Sequence, residues 1–266
     1  MIPRHLPHVG PVRSAVLTAV GLLVLVSALA ACTSTSQFSA DVERIAYGYV
    51  SSEAKPPSHP DSLEILSLVE KENRIAFQLD YPYERLMREW SATWVSQSAQ
   101  RTFDSRQSYR SFATLWSLDL SLAALAAEEG VNTLSKDLAQ QRIATRRQEY
   151  QQMLQIDLYR FIGSPPAGRD ISSTIVGTPG AFITLRDDQG NEYRPDDVYN
   201  EPAREAVIAG NRTFYRRNIF FFKRQVDGRD ILEGVRRLRL YISGSPAGRY
   251  YFTWSFDEVL PPPSSP

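Results

Sequence analysis

The chain has 266 residues with 30 basic and 30 acidic side chains, so its formal net charge at neutral pH is zero. This balance argues against nucleic-acid binding as the main role, because proteins with that role carry a marked excess of positive charge. Three histidines and one cysteine leave few side chains for a zinc site or a histidine-dependent nucleophile, so we expect no metal, no cofactor and no catalytic residue.

The N-terminal segment has the layout of a secretory signal. Arg4 and Arg13 give it a basic start, and an apolar run of 17 residues from Ala15 to Ala31 follows. Cys32 comes next and is the only cysteine in the chain. Three alternatives stay open: an uncleaved membrane anchor, since 17 residues reach the lower limit for crossing a bilayer; a signal cleaved without lipid; and an ordinary thiol at Cys32.

The sequence Leu29-Ala30-Ala31-Cys32 resembles the lipobox of bacterial lipoproteins. The resemblance implies that residues 1–31 are a cleaved signal peptide and that lipid, such as palmitate, is attached at Cys32. Several acyl chains hold a protein stably on a membrane, whereas one alone holds poorly. By the same resemblance, Thr33 at the next position favours the outer membrane if the cell has one. We therefore expect a lipid-anchored protein of the cell envelope.

Residues 32–62 are predicted to form a lipidated tether followed by an irregular segment. Small polar residues follow Cys32, and Pro-Pro-Ser-His-Pro at 56–60 makes regular structure unfavourable. The last six residues, 261–266, have the composition of a disordered tail. The globular domain then extends over residues 63–260.

Short apolar–polar alternations through this domain predict strands with one buried face. Together with the turn residues between them they predict a mainly β fold with some α, namely an antiparallel immunoglobulin-like β-sandwich. A turn at Asp187–Asn191 fits a hairpin better than a calcium loop. The predicted inward stripes are Ile75/Phe77/Leu79, Leu154/Ile156/Leu158, Ala181/Ile183/Leu185, Leu238/Leu240/Ile242 and Phe252/Trp254/Phe256.

A helical insertion at about residues 84–148 is predicted to interrupt the sandwich, and a separate helical domain is the alternative. Little Pro or Gly occurs there, and the run from Ser111 to Ala127 is apolar almost all round. A helix of that kind is normally buried. Two outcomes are open for this run: full burial in the core, or an exposed groove around Trp116 that would mark a docking site.

A second candidate docking site consists of arginines on two predicted strands. Arg216 and Arg217 lie on one, and Arg237 and Arg239 lie on the other. If these strands pair, one sheet face would be rich in guanidinium groups, which bind phosphate and carboxylate in a bidentate manner. The alternative is a solvated face that is paired to nearby acidic side chains.

The sequence therefore predicts a membrane-anchored envelope protein with a non-enzymatic binding or assembly role. Its expected partners are the membrane, through lipid on Cys32, and an envelope protein or an anionic glycan. The alternative is an envelope hydrolase that acts on glycan or peptide through carboxylates, which need to be close only in space.

Overall fold

The computed structural model describes residues 52–80, 82–95, 110–127, 130–162, 182–208, 211–245 and 248–256. The predictions for the signal peptide, Cys32, Thr33 and the tail at 261–266 lie outside these residues. No helix among the described residues is long and apolar enough to cross a bilayer.

The described residues contain fifteen strands, three α-helices and one 3₁₀ turn. The helices are α1 (Tyr83–Glu89), α2 (Leu118–Ala127) and α3 (Lys136–Gln152), with the 3₁₀ turn at Val131–Thr133. The strands are β1 (Glu53–Ala54), β2 (Leu66–Lys71), β3 (Arg74–Leu79), β4 (Ser91–Val95), β5 (Arg110–Leu115), β6 (Met153–Ile162), β7 (Ile183–Asp187), β8 (Glu192–Tyr193), β9 (Asp197–Asn200), β10 (Arg204–Ile208), β11 (Asn211–Lys223), β12 (Gln225–Val226), β13 (Arg229–Asp230), β14 (Arg237–Ser245) and β15 (Gly248–Ser255).

Most of these strands belong to two large sheets. The first sheet has the order β1-β15-β14-β7-β8, and the second has the order β10-β11-β6-β5-β4 with β9 also paired to β11. Neighbouring strands are antiparallel except β1 and β15, which run parallel. The mainly β fold with some α is thus confirmed, and its immunoglobulin-like detail stays a prediction.

The two large sheets share one hydrophobic core. Four of the predicted inward stripes lie in it, although Ala181 is outside the described residues; Leu154, Leu240 and Trp254 are examples with no exposed surface. The indole Nε1 of Trp254 in the first sheet donates to the backbone oxygen of Trp90, next to β4, at 2.9 Å. Alternation along the strands therefore identified the buried face correctly.

The predicted helical insertion is wrong in its middle. Strands β4 and β5 lie inside residues 84–148 and pair with each other, and β5 continues the second sheet through β6. The run from Ser111 to Ala127 is a strand as far as Leu115 and a helix only from Leu118. Residues 111–117 are all buried, so no polar face interrupts the apolar pattern. A strand covered on both faces cannot be told from a buried helix by periodicity.

The stripe Ile75/Phe77/Leu79 does not belong to the sandwich as predicted. Strands β2 and β3 form a separate hairpin, which packs on α2 and α3 around a second, smaller core. Helix α2 serves both cores, because Leu122 and Leu125 face the hairpin while other side chains of the helix face the main core. Its leucines point in several directions, and each direction meets a different apolar surface.

A buried carboxylate connects α2 to the start of the hairpin. Asp119 accepts hydrogen bonds from the backbone N–H groups of Glu64, Ile65 and Leu66, each at 3.3 Å. Burial raises the pKa of this carboxyl to about 6, although the three backbone donors oppose the rise. In its effect on the pKa of Asp119, desolvation of the charged carboxylate therefore outweighs the three long hydrogen bonds.

This pKa predicts how stability depends on pH. Between pH 3.8 and about 6 the folded chain holds the Asp119 proton more tightly than the unfolded chain, so this group lowers the free energy of unfolding as pH rises. The full effect is about 3 kcal/mol. Urea unfolding of the wild type and of Asp119→Asn should show that the difference in unfolding free energy between the two shrinks by nearly that amount from pH 3 to pH 8. The exposed Asp137→Asn in α3 is the control, and an Asp119 carboxyl resonance that titrates near pH 4 would contradict the prediction.

Candidate functional site

The four predicted arginines do not share a sheet. Arg216 and Arg217 lie on β11, which pairs with β6, β9 and β10, whereas Arg237 and Arg239 lie on β14, which pairs with β7 and β15. The expectation of one guanidinium-rich face from both strands is therefore wrong. Strands β11 and β14 pair within different sheets, so their arginines lie in different environments.

Arg217 lies in a buried ion cluster. Its Nε and Nη2 donate to Asp157 Oδ2 at 3.0 and 2.7 Å, and its Nη1 donates to Glu201 Oε1 at 3.0 Å. The guanidinium carbon also lies 5.8 Å from the centre of the Tyr159 ring. Arg217, Asp157 and Glu201 are all buried. This arginine is consequently not available to dock a partner, which corrects the prediction made for it.

Burial and charge oppose each other in this cluster. Burial raises the pKa of the Asp157 carboxyl, while the charge of Arg217 and the hydrogen bond from Gln155 lower it. For Arg217 burial lowers the pKa, but attraction to Asp157 and Glu201 outweighs that loss and the pKa rises. The guanidinium thus stays charged inside the domain, and the two carboxylates are required to balance it.

Arg216 points to the other face of the same strand. It is half-buried and lies directly opposite Arg160 of β6. Arg160 donates to Asn218 Oδ1 through Nε and Nη2 at 3.1 and 2.8 Å. Burial lowers the pKa of Arg160, and the nearby charge of Arg216 lowers it further. Arg216 therefore faces the space between the sheets and does not contribute to an outer docking face.

Trp116 is fully enclosed, with no exposed surface. In the described part of the run from Ser111 to Ala127, Phe112, Leu115, Leu120 and the later leucines are also buried, and Leu118 is half-buried against both cores. The apolar run is therefore buried in the core, and the prediction of Trp116 as a docking residue is wrong. The second sheet, α2 and the hairpin together offer enough apolar surface to cover the whole run from Ser111 to Ala127.

The outer face of the first sheet carries several exposed or half-exposed cationic side chains. Its arginines are Arg186, Arg237, Arg239 and Arg249, and two tyrosines lie among them. Arg186 lies over the ring of Tyr241 at 5.5 Å, Arg239 lies over the ring of Tyr251 at 5.6 Å, and the two rings are 5.5 Å apart. We call the six residues Arg186, Arg237, Arg239, Arg249, Tyr241 and Tyr251 the arginine–tyrosine face.

Two like charges are directly opposite each other on this face. Arg239 of β14 is the register partner of Arg186 of β7, and like charges in that position destabilise a sheet. Arg186 also forms an ion pair with Glu192 across β7 and β8. Among the described residues Arg237, Arg239 and Arg249 form no ion pair. The face therefore carries repulsion that an anion could relieve.

A groove of about 490 Å³ opens beside this repulsive pair. Arg237, Arg239 and Arg249 line it, together with the first described residues of the chain, Ser52 and Glu53. The Nε of Arg239 is buried and makes no hydrogen bond with any described residue. The three guanidinium groups that line the groove can donate hydrogen bonds to phosphate or carboxylate oxygens there.

Each buried carboxylate among the described residues is engaged by other groups of the domain, and Asp157 and Glu201 share Arg217. Asp119 accepts hydrogen bonds from backbone N–H groups, and Asp157 forms an ion pair with Arg217. Asp187 accepts hydrogen bonds from the backbone N–H groups of Gln189 and Asn191 at 2.9 and 2.8 Å. The last set of contacts stabilises the predicted turn between β7 and β8, which is confirmed as a hairpin. No cluster of three or more His, Cys, Asp or Glu able to hold a metal ion occurs in the described ranges.

Sequence reasoning found two of the six residues of the arginine–tyrosine face. Arg237 and Arg239 were predicted, while Arg186, Arg249 and both tyrosines were missed. Alternation is the signal that could have found more of them. In Arg237-Leu238-Arg239-Leu240-Tyr241 the leucines point inward, so the odd positions, which include Tyr241, point outward. The same parity places Arg249 and Tyr251 outside on β15, but the pairing of β14 with β7 was not visible in the sequence.

Comparison with known proteins adds no relative: no family model matches the chain, and no curated protein or solved structure does so either. The candidate site therefore depends on the geometry of this chain alone.

The buried ion cluster predicts strong coupling between its members. Arg217→Met should cost about 3–5 kcal/mol of unfolding free energy, because two carboxylates lose their buried counter-charge. The double variant Asp157→Leu/Arg217→Met should lose clearly less than the sum of the two single variants. Urea unfolding measures all three, with Arg216→Met at the neighbouring half-buried position as control. Additive single losses would contradict the coupling.

Proposed function

We propose that this protein is a lipid-anchored protein of the bacterial cell envelope with a non-enzymatic binding role, and that the arginine–tyrosine face binds an anionic group of its partner. The observation that carries the binding role is the pair of opposed arginines, Arg186 and Arg239, beside a groove lined with three guanidinium groups. Two like charges that lie side by side destabilise the folded domain. An anionic ligand that neutralises them removes this repulsion, and the relief contributes to its affinity.

Support for the anchor comes from the sequence. The lipobox resemblance at residues 29–32 places a lipid at Cys32, and Thr33 favours the outer membrane. Cys32 precedes the first described residue, Ser52, by 20 positions in the sequence.

The arrangement of carboxylates favours binding over hydrolysis. Glycoside hydrolysis needs two carboxylates on either side of an open substrate site. Asp157 and Asp119 have no exposed surface, and each is engaged by groups that hold the fold together. The arginine–tyrosine face is cationic and aromatic, which matches recognition of an anion.

The anchor is tested by mass spectrometry of the N-terminal peptide of protein purified from membranes. We expect a peptide that begins at acylated Cys32. The variant Cys32→Ser should leave the precursor unprocessed or release the protein from the membrane, because the thiol that receives the lipid is gone. An unmodified peptide that continues through residue 31 would contradict the anchor.

The binding role is tested with fluorescently labelled polyphosphate and the full acylated protein in neutral detergent. Fluorescence anisotropy should show binding that weakens as salt screens the charges. The triple variant Arg237→Gln/Arg239→Gln/Arg249→Gln should weaken it at least tenfold, or about 1.4 kcal/mol. A matched control removes three arginines elsewhere, Arg74→Gln/Arg142→Gln/Arg147→Gln on β3 and α3. Equal loss in the two triple variants would show that net charge, and not this face, governs binding.

A further inference from the structure

We propose that the arginine–tyrosine face docks onto the anionic phospholipid surface of the membrane that holds the anchor, so that the domain lies against its own membrane. This inference rests on the proposed function, because it requires the lipid at Cys32. It goes further by naming the occupant of the face: phosphate groups of lipid headgroups, presented as a plane and not as a single soluble ligand.

The chain enters the described domain at the rim of this face. Ser52 and Glu53 line the same groove as the three arginines, and β1 extends the first sheet at its edge beside β15. Cys32 precedes Ser52 by 20 residues, so the connection spans at most about 70 Å when fully extended. An anchored Cys32 therefore keeps the groove within about 70 Å of headgroups, and tethering raises their effective concentration at the face.

The charge of the face is complementary to an anionic bilayer. Its four arginines are accompanied by three acidic side chains, Glu53, Glu192 and Asp188 beside Arg237, which leaves a net charge of 4 − 3 = +1 on the outer surface of the sheet. Glu53 also accepts a hydrogen bond from Ser255, and Glu192 is paired with Arg186. Each arginine close to an anionic membrane surface strengthens binding by about fivefold. The three arginines of the groove together give about 100-fold.

Aromatic side chains on the same face fit the headgroup region. Tyr251 is 52% exposed and Phe182, just before β7, is 59% exposed. Ile183 points into the core, so the preceding side chain points out with the arginines. Tyrosine rings have an apolar body and a polar tip, and such side chains are enriched where a membrane meets water. A soluble anionic polymer would contact the same arginines, but it gives no reason for exposed aromatic rings on the same face.

The experiment uses the full acylated protein reconstituted into vesicles. Acylation blocks Cys32, so the variant Phe182→Cys carries one free thiol, which is labelled with a polarity-sensitive fluorophore. Vesicles of phosphatidylcholine alone are compared with vesicles that also contain phosphatidylglycerol, and a lipid-borne quencher reports contact. Ala144→Cys, exposed on α3, is the control position.

We expect blue-shifted, quenchable fluorescence at position 182 and not at position 144, only in vesicles with phosphatidylglycerol. High salt should abolish the signal. Arg237→Gln/Arg239→Gln/Arg249→Gln should lower the ratio of docked to free domains about 100-fold, whereas Arg74→Gln/Arg142→Gln/Arg147→Gln should leave it nearly unchanged.

Two other results overturn the inference in distinguishable ways. If position 182 does not respond to phosphatidylglycerol while polyphosphate still binds through the three arginines, the face binds a soluble anion and the proposed function stands. If neither probe depends on these arginines, the proposed binding face fails as well. A signal that depends on protein density and not on lipid charge would mark contact between two copies of the chain, and would also overturn lipid docking.

Discussion

The rest of the domain depends on the central position of β6, which is covered on both faces. All residues from Leu154 to Tyr159 are buried, and the strand pairs with β11 on one side and with β5 on the other. One face of β6 presents Leu154, Ile156 and Leu158 to the core shared with the first sheet. The other face contains Asp157 and therefore has to satisfy a charge away from water.

That constraint decides where the arginines of β11 can lie. The register places Arg217 next to Asp157 on one face and Arg216 next to Arg160 on the other. A carboxylate with no exposed surface needs a partner that is always charged and offers several donors, and arginine meets both requirements. Arg217 is thus committed to the interior, with Glu201 as its second partner. The buried pair fixes the register of the sheet, because a slip by one residue would move the charge to the apolar face.

The outer face of the first sheet is free of this constraint, and it has different chemistry. Alternation on β14 and β15 sends leucine, phenylalanine and tryptophan inward and arginine and tyrosine outward. The outward side chains meet across strands: Arg239 lies opposite Arg186, Arg186 is also paired with Glu192, and each arginine lies over a tyrosine ring. A surface that keeps such a pair loses stability, which is the physical argument for a ligand there. The position of β1 at the edge of the sheet brings the incoming chain to the same surface.

The sequence by itself determined the properties that depend on local pattern. Period-2 alternation identified the inward stripes around Trp254, Leu240 and Ile156, and turn chemistry identified the hairpin at Asp187–Asn191. It also supplied the lipobox resemblance, which is read from four residues in a row. Long-range pairing was decided by the tertiary structure alone. The apolar pattern of residues 111–117 fits a buried helix as well as a strand that is covered on both faces. Only the pairing of β5 with β4 and β6 decides for the strand. In the same way, two similar pairs of arginines differ in environment, because Arg217 of β11 binds the buried Asp157, whereas Arg237 and Arg239 of β14 lie on the outer face of the first sheet. Sequence gives the charge of a side chain, but the partner across the strand decides whether that charge is neutralised or left for a ligand.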